Sequence, residues 1–308
     1  MKIVFMGTPG FALETLRILN ERHSVILAVT QPDKPAGRKK VMTAPPVKEL
    51  AERLGIPVFQ PARLRESAGE LRRLAPEADV FAVAAYGQIL SEEILEMPKY
   101  GCFNVHASLL PEYRGAAPIQ RAIMDGREKT GVTIMKMEKG LDTGPALLSR
   151  EAPIEDSDTA GGMFEKLGKL GAEALIEALE LVEAGRAVFT PQDEAAATYA
   201  HMLGKDAGRL DFSRPARDLR NLIRALSPRD SGFAEINGEK LKIWEALTAD
   251  CGESAENGTI INISGGGITV KTPDGALVLS EVQPASGKRM SGAAFARGHK
   301  VKIGDKLI

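Results

Sequence analysis

The first half of the chain alternates between short apolar runs and amphipathic stretches, and this alternation limits the folds open to it. Residues 2–6 form an apolar run that breaks at Gly7-Thr8-Pro9-Gly10, and residues 11–19 then show helical spacing. Residues 79–86 are apolar on both faces, as a central parallel strand requires. Strands that alternate with helices predict an α/β domain over residues 1–189, with an open, mostly parallel, Rossmann-like sheet.

The pattern changes in the last third of the chain. Residues 190–205 are rich in Pro, Asp, Glu and Ala with weak periodicity, and we predict a linker there. A helix over residues 215–226 is followed by short strands, two of which flank Asn237-Gly238, a strong hairpin signal. Four or five short strands predict a separate small β-barrel over residues 206–308.

Composition excludes several classes of protein. The 308 residues are 44% hydrophobic and 26% charged, which is typical of a globular protein rather than a disordered one. No apolar run is long enough to cross a bilayer, and the opening segment is too short for a signal peptide. Cys102 and Cys251 match neither a disulfide framework nor a metal-ligand spacing. We therefore expect a cytoplasmic protein with no membrane partner and no metal.

Charge is distributed unevenly along the chain. Residues 205–308 hold 16 basic and 13 acidic residues, although the whole chain has a net charge of −1. A mildly basic C-terminal part is compatible with a polyanionic partner, and equally with chance variation on a solvated surface.

Asn104 and His106 form the sharpest chemical signal. Side chains alternate along a strand, so Phe103 and Val105 share one face and leave Asn104 and His106 together on the other. Both lie at the carboxyl end of a predicted strand, where open α/β sheets bind ligands. Together they could polarise a carbonyl and stabilise the oxyanion formed when it is attacked. The alternative is a histidine that is hydrogen-bonded only for structural reasons.

Two glycine-containing turns are further candidates. Asp142 lies in Gly140-Leu141-Asp142-Thr143-Gly144, where a carboxylate could support proton transfer by a nearby histidine, or could simply belong to a turn. The Gly7–Gly10 turn could present backbone amides to an anion or be a tight structural turn. It does not match the dinucleotide fingerprint, and no acidic residue ends the second strand, so a nicotinamide dinucleotide is disfavoured.

A basic loop lies between the second strand and the second helix. Residues 32–40 read PDKPAGRKK and contain four basic residues. Such a loop suits contacts with nucleic-acid phosphates, and the alternative is a solvated surface loop.

Several of these motifs together resemble one enzyme family. NVHASLLP at residues 104–111, YRGAAPIQ at 113–120, GVTIM at 131–135 and GLDTG at 140–144 are similar to the 10-formyltetrahydrofolate-dependent formyltransferases. FMGTP at residues 5–9 and QPDKPAGR at 31–38 fit the same family. The resemblance extends over the whole chain and is strongest over residues 1–150.

The resemblance implies a reaction and a set of site residues. The reaction moves the formyl group of 10-formyltetrahydrofolate, a co-substrate, to the α-amino group of methionyl-initiator tRNA, giving N-formylmethionyl-tRNA for translation initiation. It implies no metal, an OB-fold-like tRNA-binding C-terminal domain and, in our interpretation, a monomer.

The implied catalytic residues are Asn104, His106 and Asp142. The implied folate-binding residues are Ser108, Leu109, Leu110 and Pro111, with Gln88, Ile89 and Leu90 beside the pterin. The implied tRNA-binding residues are Arg38, Lys39 and Lys40.

Two rival functions remain open. One is formylation of a small amine, such as glycinamide ribonucleotide or an amino-sugar nucleotide, which the β-rich C-terminal part and the Arg38 loop disfavour. The other is a non-catalytic tRNA-binding protein on a formyltransferase fold, which the intact trio Asn104, His106 and Asp142 disfavours.

Overall fold

The computed structural model describes residues 1–37 and 40–308, which form two compact units. The first unit comprises Met1–Pro118, Lys129–Pro153 and Phe164–Ala200, and the second comprises the remaining described residues, including His201–Ile308. Residues 119–128 and 154–163 thus belong to the second unit, although they lie within the predicted catalytic domain. As boundaries between independently folding domains, residues 1–189, 190–205 and 206–308 stay a prediction.

Strands and helices are numbered along the chain. In the described ranges the strands are β1 (Lys2–Gly7), β2 (Ser24–Val29), β3 (Lys34–Ala36), β4 (Val41–Thr43), β5 (Val58–Phe59), β6 (Val80–Ala84), β7 (Cys102–His106), β8 (Lys129–Lys136), β9 (Ala146–Pro153), β10 (Gly232–Ile236), β11 (Glu239–Ala249), β12 (Ile260–Ser264), β13 (Gly267–Thr272), β14 (Gly275–Pro284) and β15 (Met290–Ser291). The helices are α1 (Leu13–Arg22), α2 (Pro46–Arg53), α3 (Ala68–Leu74), α4 (Glu92–Leu95), α5 (Pro118–Met124), α6 (Ala160–Glu183), α7 (Ala216–Leu226) and α8 (Gly292–Gly298).

A mostly parallel sheet forms the centre of the first unit, as predicted. Its order in the described part of the chain is β5-β2-β1-β6-β7-β8-β9, and the first five strands run parallel. Strands β8 and β9 are antiparallel to their neighbours, which makes this edge of the sheet mixed. Because β1, β6 and β7 are parallel neighbours, their carboxyl ends meet at one edge, where Asn104 and His106 lie.

Strand β7 divides its side chains as the alternation predicted. A Cβ at Gly171 of α6 would collide with Val105 Cγ1, so this glycine allows the helix to pack closely against that face. Phe103, on the same face, stacks on Phe189 with ring centroids 6.2 Å apart. Asn104 and His106 are thereby directed to the opposite face.

The basic loop has paired ends that the sequence did not predict. Strands β3 and β4 form a small antiparallel hairpin in which Lys34 pairs with Thr43. At the base of the hairpin, Asp33 accepts hydrogen bonds from Lys48 Nζ at 2.8 Å and from Gln60 Nε2 at 2.9 Å. These bonds attach the start of the loop to the rest of the first unit. Arg38 and Lys39 lie outside the described residues.

The second unit contains an antiparallel sheet with the order β10-β11-β14-β13-β12, and β15 pairs with β14. The predicted hairpin joins β10 to β11, and both Asn237 and Gly238 have positive φ, at 52° and 77°. Helix α7 contacts β11 through apolar residues that include Leu219 and Ile223, which are buried in the core of this unit. Asp274 accepts a hydrogen bond from the Ala216 amide at 2.9 Å, which satisfies a free donor at the start of α7.

The C-terminal residues pair with both edges of this sheet. Leu307 N donates to Gly258 O at 2.8 Å, and Ile260 N donates to Asp305 O at 2.8 Å. Ile308 and Glu235 exchange two backbone hydrogen bonds, of 2.7 and 3.0 Å. Residues 305–308 therefore lie between β10 and the start of β12.

No helix in residues 1–37 and 40–308 combines the length and apolar character needed to span a membrane. Over the same residues, no three His, Cys, Asp or Glu side chains group closely enough to hold a metal ion.

Candidate active site

His106 occupies the carboxyl end of β7 and is 5% exposed. Its Nε2 lies 3.0 Å from the carbonyl oxygen of Tyr113. A carbonyl only accepts hydrogen bonds, so Nε2 carries a hydrogen and donates it there. Nδ1 is consequently the ring nitrogen left for proton exchange.

Asp142 lies beside that free nitrogen. Its Oδ2 is 3.6 Å from His106 Nδ1, which is longer than a hydrogen bond but close enough to attract a protonated ring. The same oxygen accepts a hydrogen bond from Gly115 N at 2.8 Å. The structure therefore brings together His106 and Asp142, which are 36 positions apart in the sequence. Catalytic distances of this kind often shorten when substrate binds.

Asn104 is half-buried in the same strand, between Val83 and Met135 of the neighbouring strands. Across the described residues, no protein group hydrogen-bonds to its side-chain amide. Within that part of the chain the protein uses neither amide hydrogen, which leaves both for a hydrogen bond to an oxyanion.

The predicted folate-binding turn is held by its first residue. Ser108 is fully buried, and its hydroxyl donates to the carbonyl of Glu112 at 2.6 Å. The Ser108 carbonyl accepts from the Thr133 hydroxyl at 2.8 Å. The Ser108 side chain is therefore used within the turn. The other three predicted residues are half-buried: Leu109, Leu110 and Pro111.

The three predicted pterin-site residues have different environments. Gln88 accepts from Leu64 N at 2.8 Å and so fixes the loop after β6 to a neighbouring loop. Ile89 is 87% exposed, an unusual state for a large apolar side chain. Leu90 is buried in a hydrophobic cluster with Leu64 and Tyr86. Ile89 is the member of this set with its side chain available to a ligand. Lys40, from the predicted tRNA-binding set, is exposed.

Several groups that contact the trio were not predicted from the sequence. Tyr113 contributes a carbonyl, Gly115 contributes an amide, and Gln192 donates to the carbonyls of Asp142 and Gly144 at 2.8 and 2.6 Å. Tyr113 and Gly115 fall in one of the motifs that carried the resemblance. Gln192 falls in the predicted linker, where no local pattern marks it.

Cys102 lies on the same strand and is a chemically possible nucleophile. It is almost fully buried, and this burial raises the pKa of its thiol to about 12. A thiol with that pKa is protonated near neutral pH, which disfavours a covalent route through sulfur.

Comparisons with known proteins cover both units. Residues 1–179 match the family described as formyl transferase, and residues 202–300 match the formyl transferase C-terminal domain. The molecule is therefore an enzyme of one-carbon group transfer. The chain belongs to the formyl transferase family.

Relatives that match over nearly the full length of the chain are methionyl-tRNA formyltransferases. A methionyl-tRNA formyltransferase from Agathobacter rectalis is 46% identical over 307 residues, covering 99% of this chain and 98% of the relative. The methionyl-tRNA formyltransferase from Bacillus subtilis is 46% identical over 308 residues, covering 99% and 97%.

Solved structures share the fold at low identity. HypX from Aquifex aeolicus in complex with tetrahydrofolic acid has a TM-score of 0.66 and 16% identity over 98% of this chain. This chain spans about half of that protein, 48%. The N-formyltransferase from Helicobacter canadensis, in complex with folinic acid and dTDP-3-aminofucose, has a TM-score of 0.67 and 18% identity, covering 91% of this chain and 98% of that one. The similarity of these folds to that of the present chain supports the assignment of the Rossmann-like sheet.

Proposed function

We propose that this enzyme transfers the formyl group of 10-formyltetrahydrofolate to the α-amino group of methionyl-initiator tRNA, producing N-formylmethionyl-tRNA for translation initiation. The observation that carries the proposal is the identity of 44–47% to methionyl-tRNA formyltransferases over at least 99% of the chain. The inclusion of the C-terminal domain in that match favours a tRNA acceptor over a small amine.

Each residue of the trio has a separate role in this reaction. The neutral amine attacks the formyl carbon, and the Asn104 amide donates to the oxygen that becomes negative. Nδ1 of His106 takes the proton that the amine loses, and Asp142 stabilises the resulting imidazolium. The bond between the formyl carbon and N10 then breaks, and N10 takes the proton from His106 Nδ1, which returns the ring to its neutral form. Each bond and proton is thus accounted for without a metal.

The folate would bind beside the turn that follows β7. Leu109, Leu110 and Pro111 offer half-buried apolar surface, and Ile89 offers an exposed apolar side chain for a flat ring. In this proposal Ser108 contributes by fixing the turn, since its hydroxyl is already used by Glu112. Gln88 and Leu90 would act in the same indirect way, by fixing the loop that carries Ile89.

We infer that the second unit is an OB-fold-like barrel that binds tRNA. In support, residues 305–308 hydrogen-bond to Gly258 and Ile260 on one side and to Glu235 on the other, which joins the two edges of the antiparallel sheet. A closed sheet of this kind removes the free edges that an open sheet would expose.

One face of this unit combines basic side chains with two aromatic rings, the half-buried Trp244 and the buried Phe233. Lys240 and Lys242 are exposed on β11, and Lys240 Nζ lies 3.4 Å from the centre of the Phe233 ring. Arg289 lies 3.4 Å from the centre of the Trp244 ring. Basic side chains interleaved with aromatic rings suit phosphates and unstacked bases, so we assign tRNA contact to this face.

Salt dependence tests this assignment. Lys240→Ala with Lys242→Ala, and separately Arg38→Ala, should weaken tRNA binding because each change removes positive charge that would pair with phosphate. The slope of log K against log salt should flatten by roughly 0.7–0.9 for every phosphate that is no longer neutralised. The measurement is the Kd for methionyl-initiator tRNA over a salt series, with folate binding as the unchanged reference.

Lys302→Ala provides a control, because it removes positive charge from an exposed site outside β11, one charge against the two that the β11 variant removes. If the β11 variants and Lys302→Ala give the same slope as the unaltered enzyme, the face does not contact tRNA.

We infer that the enzyme acts in the cytoplasm, where translation initiation would use its product, and as a monomer, since the proposed catalytic residues lie together within one chain. Sedimentation of the enzyme alone and with tRNA tests the second point, and a stable dimer at working concentration would contradict it.

The proposed function is tested by offering three acceptors with the same 10-formyltetrahydrofolate: methionyl-initiator tRNA, glycinamide ribonucleotide and an amino-sugar nucleotide. We expect kcat/KM to be highest for the tRNA by a wide margin. Preference for a small amine would replace the proposed substrate, and binding of tRNA without transfer to any acceptor would indicate a non-catalytic protein.

A further inference from the structure

We infer that Gln192 is a positioning residue for formyl transfer, and that Arg114 and Glu194 orient it. The inference rests on the proposed role of Asp142 in catalysis. The Gln192 side chain bonds to the backbone of the Asp142 loop. It would therefore act by fixing where the Asp142 carboxylate lies.

Asp142 needs such support because of its backbone conformation. Its φ is +54°, in the left-handed region that side-chain-bearing residues rarely adopt. Such conformations persist where the surroundings hold them. The two amide hydrogens of Gln192 supply that support, because one bonds to the Asp142 carbonyl at 2.8 Å and the other to the Gly144 carbonyl at 2.6 Å. One side chain thus fixes both ends of the turn.

Arg114 determines which way the Gln192 amide points. Gln192 Oε1 accepts from Arg114 Nε at 3.1 Å and from Nη2 at 2.9 Å. A guanidinium only donates, so the amide oxygen must face it and the amide nitrogen must face the two carbonyls. Reversing the amide would place donor against donor and acceptor against acceptor.

The charge of Arg114 is balanced on its other side. Its side chain is fully buried, and Nη1 and Nη2 donate to the two carboxylate oxygens of Glu194 at 2.9 and 2.7 Å. This pairing raises the pKa of Arg114 and lowers that of Glu194. Glu194, Arg114 and Gln192 thus form a continuous chain of hydrogen bonds that ends on the backbone of Asp142.

The segment that carries Gln192, residues 190–200, also fixes the neighbouring loop. Thr198 Oγ1 accepts from Tyr113 N at 2.8 Å, and Ala200 N donates to Arg114 O at 2.7 Å. This loop supplies the Tyr113 carbonyl to His106 Nε2 and the Gly115 amide to Asp142 Oδ2. The separation of His106 and Asp142 therefore depends on both loops, and one segment fixes them both.

Gln192→Ala in the full chain tests the inference. It should lower kcat for methionyl-tRNA by about 10–100-fold, as expected when a reacting group is displaced by a fraction of an ångström. The KM values for tRNA and for 10-formyltetrahydrofolate should stay within about threefold, because binding surfaces are unaltered. Gln192→Glu should lose as much, since a carboxylate keeps the bond to Arg114 but cannot donate to the two carbonyls.

Asp193→Asn is the matched control. Asp193 is exposed, and its side chain accepts from Ala195 N at 3.0 Å, a bond that asparagine can also accept. It should keep the kcat of the unaltered enzyme. Gln192→Met, which preserves side-chain length, carries the same expectation as Gln192→Ala should the smaller residue prevent folding.

An NMR measurement distinguishes a positioning effect on His106 and Asp142 from a nonspecific loss of structure. The ¹⁵N shift of His106 Nδ1, assigned with His106→Gln in uniformly histidine-labelled enzyme, should move in Gln192→Ala in the same direction as in Asp142→Asn. An unchanged shift together with an unchanged kcat would overturn the inference, as would a loss of kcat without any movement of that resonance.

If the proposed function is wrong, these experiments give a different set of outcomes. If Asp142→Asn keeps full activity, or the unaltered enzyme does not formylate methionyl-tRNA, the catalytic proposal fails, and the resonance still reports whether Gln192 fixes Asp142. If Asp142→Asn loses activity and Gln192→Ala does not, only the positioning inference fails.

Discussion

Replacing Asp142 with asparagine should lower kcat for methionyl-tRNA formylation by about 10²–10⁴-fold, the range for loss of a general acid–base partner. Asparagine preserves the shape of the site, because its Oδ1 can accept from Gly115 N and it tolerates the φ of +54° at this position. The change therefore removes the negative charge beside His106 Nδ1 and little else. Steady-state rates over a pH series measure the effect.

Folate and tRNA dissociation constants provide the control for this variant, and both should match those of the unaltered enzyme. A pH–rate profile that is unchanged in height and in shape would remove Asp142 from the mechanism.

Asn104→Ala should lower kcat by about 10²–10³-fold, the usual loss for one preorganised oxyanion donor. In the part of the chain that the structure describes, this amide makes no hydrogen bond to protein, so its removal leaves no buried partner unsatisfied. The loss should thus appear in kcat and not in folding stability. Thermal unfolding and steady-state rates, measured on the same preparation, separate the two.

Asn104→Asp is the informative companion to this variant. It has nearly the same size but replaces the amide donor with oxygen acceptors, so it should be at least as impaired as Asn104→Ala. Activity near that of the unaltered enzyme in the aspartate variant would contradict an oxyanion role.

Features with a local pattern were predictable from the sequence. Residues 80–84, within the run 79–86 predicted as a strand, are apolar on both faces because β6 is buried on both faces. Asn237-Gly238 indicated its hairpin because both residues accept positive φ. Strand alternation likewise placed Asn104 and His106 on one face of β7. Each of these follows from neighbouring residues alone.

Features that depend on distant partners were not predictable in this way. Gln192 and Thr198 lie in a segment with little apolar periodicity, and they join the site through polar contacts to residues about 50 to 85 positions away. Arginine is a residue type found mostly on protein surfaces. Arg114 is nevertheless buried, because Glu194 and Gln192 accept hydrogen bonds from its guanidinium. The β3–β4 hairpin contains Pro35 and has only three residues in each strand, too short for a periodic signal.

We propose that Asn104, His106 and Asp142 together carry out formyl transfer to methionyl-initiator tRNA. A single-turnover measurement tests it most directly, because excess enzyme with saturating 10-formyltetrahydrofolate and limiting methionyl-initiator tRNA reports the transfer step without product release. We predict rapid transfer by the unaltered enzyme and rate constants at least about 100-fold lower for Asn104→Ala and Asp142→Asn, with tRNA and folate affinities unchanged. A rate constant within about threefold of the unaltered enzyme for either variant, or no transfer to this tRNA by the unaltered enzyme, would contradict the claim.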